Sequence, residues 1–384
     1  LMGLIIAGAS PEYLMPETDP EWGVLGGITP AAVEKALSRN LAGGRATGTA
    51  PGAPRAAFIV SPTYYGLCSD TAGIAGVCHA HGIPLLVDEA HGAHFYASPR
   101  LPAGGLASGA DACAQSIHKV TGSLTQSSML HLKSRMIDRS RIESALHILQ
   151  STSPSYLLMV SLDLAREELA LRGGAAAARA LGFAETARER TNGIPGFGCL
   201  GREIVGRAGI ADIDPTRLVI SGARIGIDGF TLKKILFDKY RVDVELADWR
   251  NIVAIVTGGN GEEDMDRLVS GLRHIGEQME ESGGRRGSGR PLGHPLPFPP
   301  LPPRVLTPRR AFFAPKRQVP WTEAADKVAG EMIAPYPPGI PVIYPGEILT
   351  RETWEYLEQY RREGRHIQGP ADRELRTFMA ISET

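Results

Sequence analysis

Asp88, His91 and His94 follow on a short β-like run, Pro84-Leu-Leu-Val87, and His118-Lys119 follow on a second, Asp111-Ala-Cys-Ala-Gln-Ser116. In open α/β sheets, functional groups collect just past the carboxyl ends of strands. An acid and a lysine placed that way on neighbouring strands suggest a pyridoxal-phosphate site. The lysine would form the Schiff base, and the acid would keep the pyridine nitrogen protonated.

Other chemistry competes for the same residues. An Asp-Glu pair after an apolar run also looks like the metal-side acid of a P-loop ATPase, but no G-x-x-x-x-G-K-[ST] loop accompanies it. Asp88, His91 and His94 are a candidate metal set, because imidazole and carboxylate suit zinc or iron. Lys119 by itself would be a solvated surface lysine. Ser116 and His118 before it, and Gly122-Ser-Leu-Thr-Gln-Ser-Ser128 behind it, favour the cofactor reading.

Longer motifs sharpen this choice. Asp88-Glu-Ala-His-Gly-Ala-His94-Phe, Gln115-Ser-Ile-His-Lys119 and Leu124-Thr-Gln-Ser-Ser-Met-Leu-His131 together resemble the acid and cofactor-lysine motifs of the Orn/Lys/Arg decarboxylase family. The resemblance runs from Gly8-Ala-Ser-Pro-Glu-Tyr-Leu14 to Ile367-Gln-Gly369. Only the Ala/Gly stretch near 172–182 and the linker near 282–306 look idiosyncratic.

The resemblance implies an α/β chain with the aspartate-aminotransferase-like fold of pyridoxal-phosphate enzymes. Its large domain would have a mostly parallel sheet, with a small α/β domain and a C-terminal α+β domain behind it. It implies pyridoxal 5'-phosphate as cofactor and loss of CO2 from arginine, lysine or ornithine. Lys119 would carry the cofactor, Asp88 would face the pyridine nitrogen, and His91 would reach the ring hydroxyl. Ser116 and His118 would reach the phosphate or relay a proton to Cα, and Thr63 and Tyr64 would lie near the ring. Glu245 and Glu347 are candidates to meet a cationic side chain. A homodimer or higher homo-oligomer is expected. The same fold supports transamination, so an aminotransferase-like enzyme stays open. So does an impaired or regulatory remnant of the family, and a metal-dependent hydrolase is the third reading.

Composition sets the outer bounds. A chain of 384 residues suggests two or three domains. Its net charge of −1 gives no electrostatic reason to expect nucleic acid or a membrane surface as partner. No apolar run approaches the roughly 18–20 residues that span a bilayer. Cys68, Cys78, Cys113 and Cys199 form no C-x-x-C pair, which fits reduced thiols in a cytoplasmic protein.

The positioning elements can be read in order. Met2 to Ala7 reads as the end of a helix whose start is absent, so an amino-terminally incomplete large domain is expected. The family's phosphate loop and ring-stacking histidine are not found, so weak cofactor binding is expected. Pro11 to Met15 is predicted as a strand, and Thr29-Pro30 as a helix start with Thr29 as cap. Gly43 to Pro54 is predicted as a loop, and Ala56 to Val60 as a buried strand ending in Ser61-Pro-Thr-Tyr-Tyr-Gly66. A helix from Thr71 to His81, stopped by Gly82, leads to the Asp88 strand. Strand, helix, strand in this rhythm implies a parallel βαβ unit.

Ser127 to Leu132 is predicted as a further strand and Ser134 to Gln150 as a helix. Ile137, Ile142, Ala145, Leu146 and Leu149 would form that helix's apolar face, and Pro154 would end it. Arg217–Ser221, Val242–Leu246 and Ile252–Val256 are predicted strands. An acid-started helix then buries Met265, Leu268, Leu272 and Ile275. Eight prolines between Pro291 and Pro308 predict an extended spacer. The expected division is a cofactor domain over 1–170, a small domain over 171–281, a linker over 282–308 and a C-terminal domain over 309–384.

Overall fold

The structure, a computed structural model, describes residues 1–42, 53–281, 297–336 and 339–382. Most of the predicted 43–54 loop and the first part of the linker, through residue 296, lie outside the described residues. Two compact units make up the chain: Leu14–Leu292, and Leu1–Tyr13 together with Gly293–Thr384.

The larger unit carries the catalytic candidates. Helix α1 (Pro30–Ala42) starts as predicted, with Thr29 Oγ1 accepting the Ala32 N–H at 3.1 Å. Strand β1 (Ala57–Val60) follows, then α2 (Thr71–Ala80) and β2 (Leu85–Asp88). Asp70 caps α2 by accepting the Gly73 N–H at 2.9 Å. Gly82 then turns the chain into β2 at φ 69°, a left-handed angle that costs glycine little. Strand β3 (Ala112–Gln115) leads into the short helix α3 (Ile117–Val120), and β4 (Met129–Leu132) completes the sheet.

The strand order is β1-β2-β3-β4. The first three strands are parallel and β4 runs antiparallel to β3. Val60 pairs with Asp88, and Asp88 pairs in turn with Ala114, so both candidate clusters leave the sheet at one end. Helices α1 and α2 cover one face, burying Val33, Leu37, Ile74 and Cys78 against Ile59, Leu85 and Val87. The other face is open. Phe58 is 64 % exposed and Val60 51 %, so the expected fully buried β1 is buried on one side only.

Helix α4 (Arg139–Leu149) is shorter than predicted and contains no buried residue, and its Ile148 and Leu149 are exposed. Its successor α5 (Tyr156–Asn192) is 37 residues long, and the composition change near Ala170 lies inside it. The second sheet contains β5 (Gly198–Cys199), β6 (Arg217–Ser221), β7 (Leu246–Ala247) and β8 (Asn251–Ile255), in the order β7-β8-β6-β5 and antiparallel throughout. The predicted strand from Val242 shortens to Leu246–Ala247, which pair with Val253 and Ile252 of β8. Helices α5, α6 (Gly229–Tyr240) and α7 (Glu262–Glu281) enclose this sheet's core of Leu218, Ile220, Leu236, Ile252 and Leu272.

The smaller unit pairs Lys316–Pro320 antiparallel with Thr377–Ile381 and packs them with the helix Arg351–Arg362. From Pro297 the chain runs without helix or strand until Thr307, and the Val305 N–H donates to the Gly346 carbonyl at 2.9 Å. Pro11 to Met15 forms no strand. Pro11 and Pro16 lack N–H donors, and Tyr13 stacks on Tyr344 with ring centroids 5.0 Å apart.

Candidate active site

Lys119 lies in α3, the single turn that follows β3. Its Nζ is 3.0 Å from His91 Nε2, and it stands 5.6 Å from the centroid of the Tyr64 ring. Tyr64 in turn packs on the His91 ring, centroid to centroid 4.4 Å. Three stretches that the sequence keeps far apart thus meet at one end of the first sheet. Partial burial pulls the Lys119 amine below the usual lysine value, against the pull of Asp88 and Glu245, whose negative charges favour the ammonium. Both carboxylates are therefore within electrostatic reach of the amine.

His91 is buried, and burial, followed by the positive charges of Arg217 and Lys119, pushes its pKa down to about 3. It is a neutral imidazole at neutral pH. Arg217 approaches its other nitrogen, with Nη2 3.4 Å from Nδ1 and 3.3 Å from the His91 carbonyl oxygen. The Arg217 side chain has no solvent exposure, and its Nε lies 3.4 Å from the equally buried Asp214 Oδ2. His94 Nε2 meets the same oxygen at 3.0 Å. Burial alone would raise the Asp214 pKa, but His94 and Arg217 outweigh it and hold the carboxyl far below its ordinary value. Gly66 makes room for the arginine: a Cβ there would stand 2.6 Å from Arg217 Cγ.

The remaining predicted residues divide. Asp88, at the end of β2, accepts the Ala90 N–H at 3.0 Å through Oδ1. Ser116 precedes α3 without a side-chain capping bond. His118 Nδ1 lies 2.7 Å from the Ser127 carbonyl oxygen, and a carbonyl can only accept, so Nδ1 carries the proton. Thr63 Oγ1 accepts the Leu67 N–H at 3.2 Å within its own turn. Glu347 belongs to the smaller unit, where it is buried and accepts the Tyr344 N–H at 2.8 Å. Burial raises its pKa to about 7.

The metal alternative finds no cluster. His91 turns to Lys119, His94 to Asp214, and Asp88 to its own turn. Among the described residues, no three of His, Cys, Asp and Glu are grouped to hold an ion.

Three residues escaped the sequence reading. Glu89 is buried and accepts the Gly105 N–H and the Gln115 amide, each at 2.6 Å, tying the ends of β2 and β3 together. Asp214 and Arg217 stand three apart before an apolar strand, a pattern that looks like an ordinary solvated strand entry. Only the packing of β6 behind His91 gives them a place at the site.

The family model described as Orn/Lys/Arg decarboxylase, major domain, matches residues 1–264, and that family's C-terminal domain matches residues 298–372. An arginine decarboxylase of Bacillus subtilis (strain 168) is 37% identical over 383 residues, covering 100% of this chain and 75% of its own. One from Halalkalibacterium halodurans has the same identity and coverage. Among solved structures, a lysine decarboxylase of Francisella novicida shares the fold at TM-score 0.77 and 21% identity, over 97% of this chain and 63% of that one. The constitutive lysine decarboxylase of E. coli does so at TM-score 0.76 and 20% identity, over 99% and 65%. This chain therefore spans slightly less than two thirds of those solved chains. Two domain models and likeness along the whole of this chain to named decarboxylases lead to one conclusion: the chain belongs to the Orn/Lys/Arg decarboxylase family of carboxy-lyases.

Proposed function

We propose that the protein is a pyridoxal-phosphate-dependent decarboxylase of a basic amino acid, arginine, lysine or ornithine, which releases CO2 and the corresponding polyamine-type amine. The observation that carries this reading is the Lys119 amine, drawn toward its free-base form beside a neutral buried His91, within electrostatic reach of Asp88.

The donor set fits the cofactor. Lys119 would hold its aldehyde carbon, which only an unprotonated amine can attack. The Asp88 carboxylate would face the pyridine nitrogen and keep it protonated. His91 would offer its ring N–H to the phenolic oxygen. Ser116 has a hydroxyl for the phosphate. His118 has its Nδ1–H engaged by the Ser127 carbonyl, so Nε2 is the ring nitrogen that would meet a phosphate oxygen. The Thr63 hydroxyl can still donate, since its bond to the Leu67 N–H uses only a lone pair. Pyridoxal phosphate, when bound, supplies the electron sink for the pair left on Cα as CO2 departs. Lys119 or His118 would return a proton to that carbon.

Substrate selection would use charge. Glu245 acts on both Lys119 and Arg217 and is the carboxylate near the site suited to a guanidinium or ammonium group. The relatives named arginine decarboxylase make arginine the first substrate to try. The reading extends to a cytoplasmic homodimer in polyamine biosynthesis: all four cysteines are free and buried, and α4 together with the first turns of α5 offers unpartnered apolar side chains.

The test is direct. Purified protein loaded with pyridoxal phosphate is reduced with borohydride and its peptides are mapped, and the loaded protein is assayed with each amino acid. The pyridoxyl group is expected on Lys119, and agmatine, cadaverine or putrescine as product. A label on Lys133 instead removes Lys119 from its role, and stoichiometric keto acid moves the protein to the aminotransferases.

A further inference from the structure

His91 has two cationic neighbours and only one lone pair to offer them. As a neutral imidazole it carries a proton on one nitrogen and accepts at the other. Arg217 faces Nδ1, and Lys119 faces Nε2. A guanidinium has donors only and does not lose its proton in a protein, so the contact at Nδ1 requires the lone pair there. The ring proton must then sit on Nε2 and point at Lys119. An ammonium at Lys119 would oppose N–H to N–H across 3.0 Å, whereas a free amine would accept the bond. Of the two cations, the lysine is the one that can yield.

We propose that Arg217 is a positioning residue for Lys119: by claiming the Nδ1 lone pair of His91 it fixes the ring proton on Nε2, facing the site and favouring the free amine. The arrangement behind it is built for this. Arg217 is anchored by Asp214, Asp214 is anchored by His94, and the Thr216 hydroxyl donates to Asp214 Oδ1 at 2.6 Å. Nη1 of Arg217 is buried with no hydrogen-bond partner among the described residues, so the guanidinium is held by its place beside His91 and Asp214 rather than by saturation of its donors. The charged groups acting on the His91–Lys119 pair are Arg217, Asp214, His94, Asp88 and Glu245. None but Arg217 touches Nδ1.

The functional weight of this inference rests on Lys119 as the nucleophile, but its test needs no cofactor. In protein labelled with 15N at the histidine rings, the His91 resonances of the wild type should show an unprotonated Nδ1 and a protonated Nε2 across neutral pH. A proton on Nδ1 in the wild type overturns the proposal without any variant. Arg217→Lys keeps a donor and should keep the tautomer. Arg217→Met should let the proton move between the two nitrogens. Its Lys119 should also react more slowly with a lysine-directed acylating reagent at neutral pH, about tenfold for each unit its pKa rises. A folded Arg217→Met with unchanged ring shifts and unchanged Lys119 reactivity also overturns it. If that variant does not fold, the wild-type tautomer and the Arg217→Lys spectrum decide. Failure to trap cofactor on Lys119 would sink the decarboxylase reading and leave the ring tautomer as measured.

Discussion

Arg217 and Asp214 face one another with no exposure to solvent, Nε to Oδ2 at 3.4 Å, directly behind the histidine that meets Lys119. A buried pair of this kind is costly to break from one side, because the survivor is left as an uncompensated charge. Asp214→Asn should therefore destabilise the protein by about 3–5 kcal/mol. The double variant Asp214→Asn/Arg217→Met should recover much of that loss. Denaturant midpoints of the two singles and the double would check it. Strict additivity would show that the pair is not coupled.

His91 should make the protein acid-sensitive. Its pKa is about 3 when folded and near 6.5 when unfolded, so as pH falls below 6.5 the unfolded chain takes up a proton that the folded chain refuses. Acid thus favours unfolding, and the loss accrues between those two values, up to about 4 kcal/mol at its lower end. His91→Gln removes this contribution. Stability measured at several pH values across that interval should fall more steeply in the wild type than in the variant. Parallel slopes would contradict the buried neutral ring.

Asp88→Asn probes the cofactor arrangement. The variant should still bind pyridoxal phosphate through Lys119 but decarboxylate several orders of magnitude more slowly, since a neutral amide no longer keeps the pyridine nitrogen protonated. Absorbance of bound cofactor and product release, measured on one preparation, separate the two effects. Near-normal turnover would remove Asp88 from the site.

Glu89→Gln tests a purely structural acid. Glu89 accepts from Gly105 and Gln115, and burial raises its pKa. An amide would turn one donor toward another donor, at a cost of about 1–3 kcal/mol. Thermal denaturation should show the loss, while Lys119 reactivity at neutral pH stays close to wild type. An unchanged melting temperature would mean that the strand ends are tied by something else.

The homodimer reading can be tested at α4 and α5. Ile148 is 82 % and Leu157 75 % exposed, an arrangement an isolated chain in water gains nothing from. The wild type should sediment as a dimer, and Ile148→Glu/Leu157→Glu should shift it toward monomer without changing its circular dichroism. A monomeric wild type would end the homodimer reading.

The motifs alone determined a good deal. The runs before Asp88 and Lys119 read as neighbouring strands, and they are neighbours: short β-like runs and strand-end polarity are local properties of the chain. The helix start at Thr29 and the buried stripe of α7 were equally legible, since caps and periodicity act within a few residues. Arg217, 98 residues beyond Lys119, carried no such signal. Its role depends on β6 packing behind His91, on Gly66 leaving space for its stem, and on Asp214 balancing its charge away from water. The same holds for α4, whose apolar stripe was visible in the sequence, while its lack of any buried residue was not. Local patterns state what a segment can bury or donate, and only the assembled fold decides what it meets.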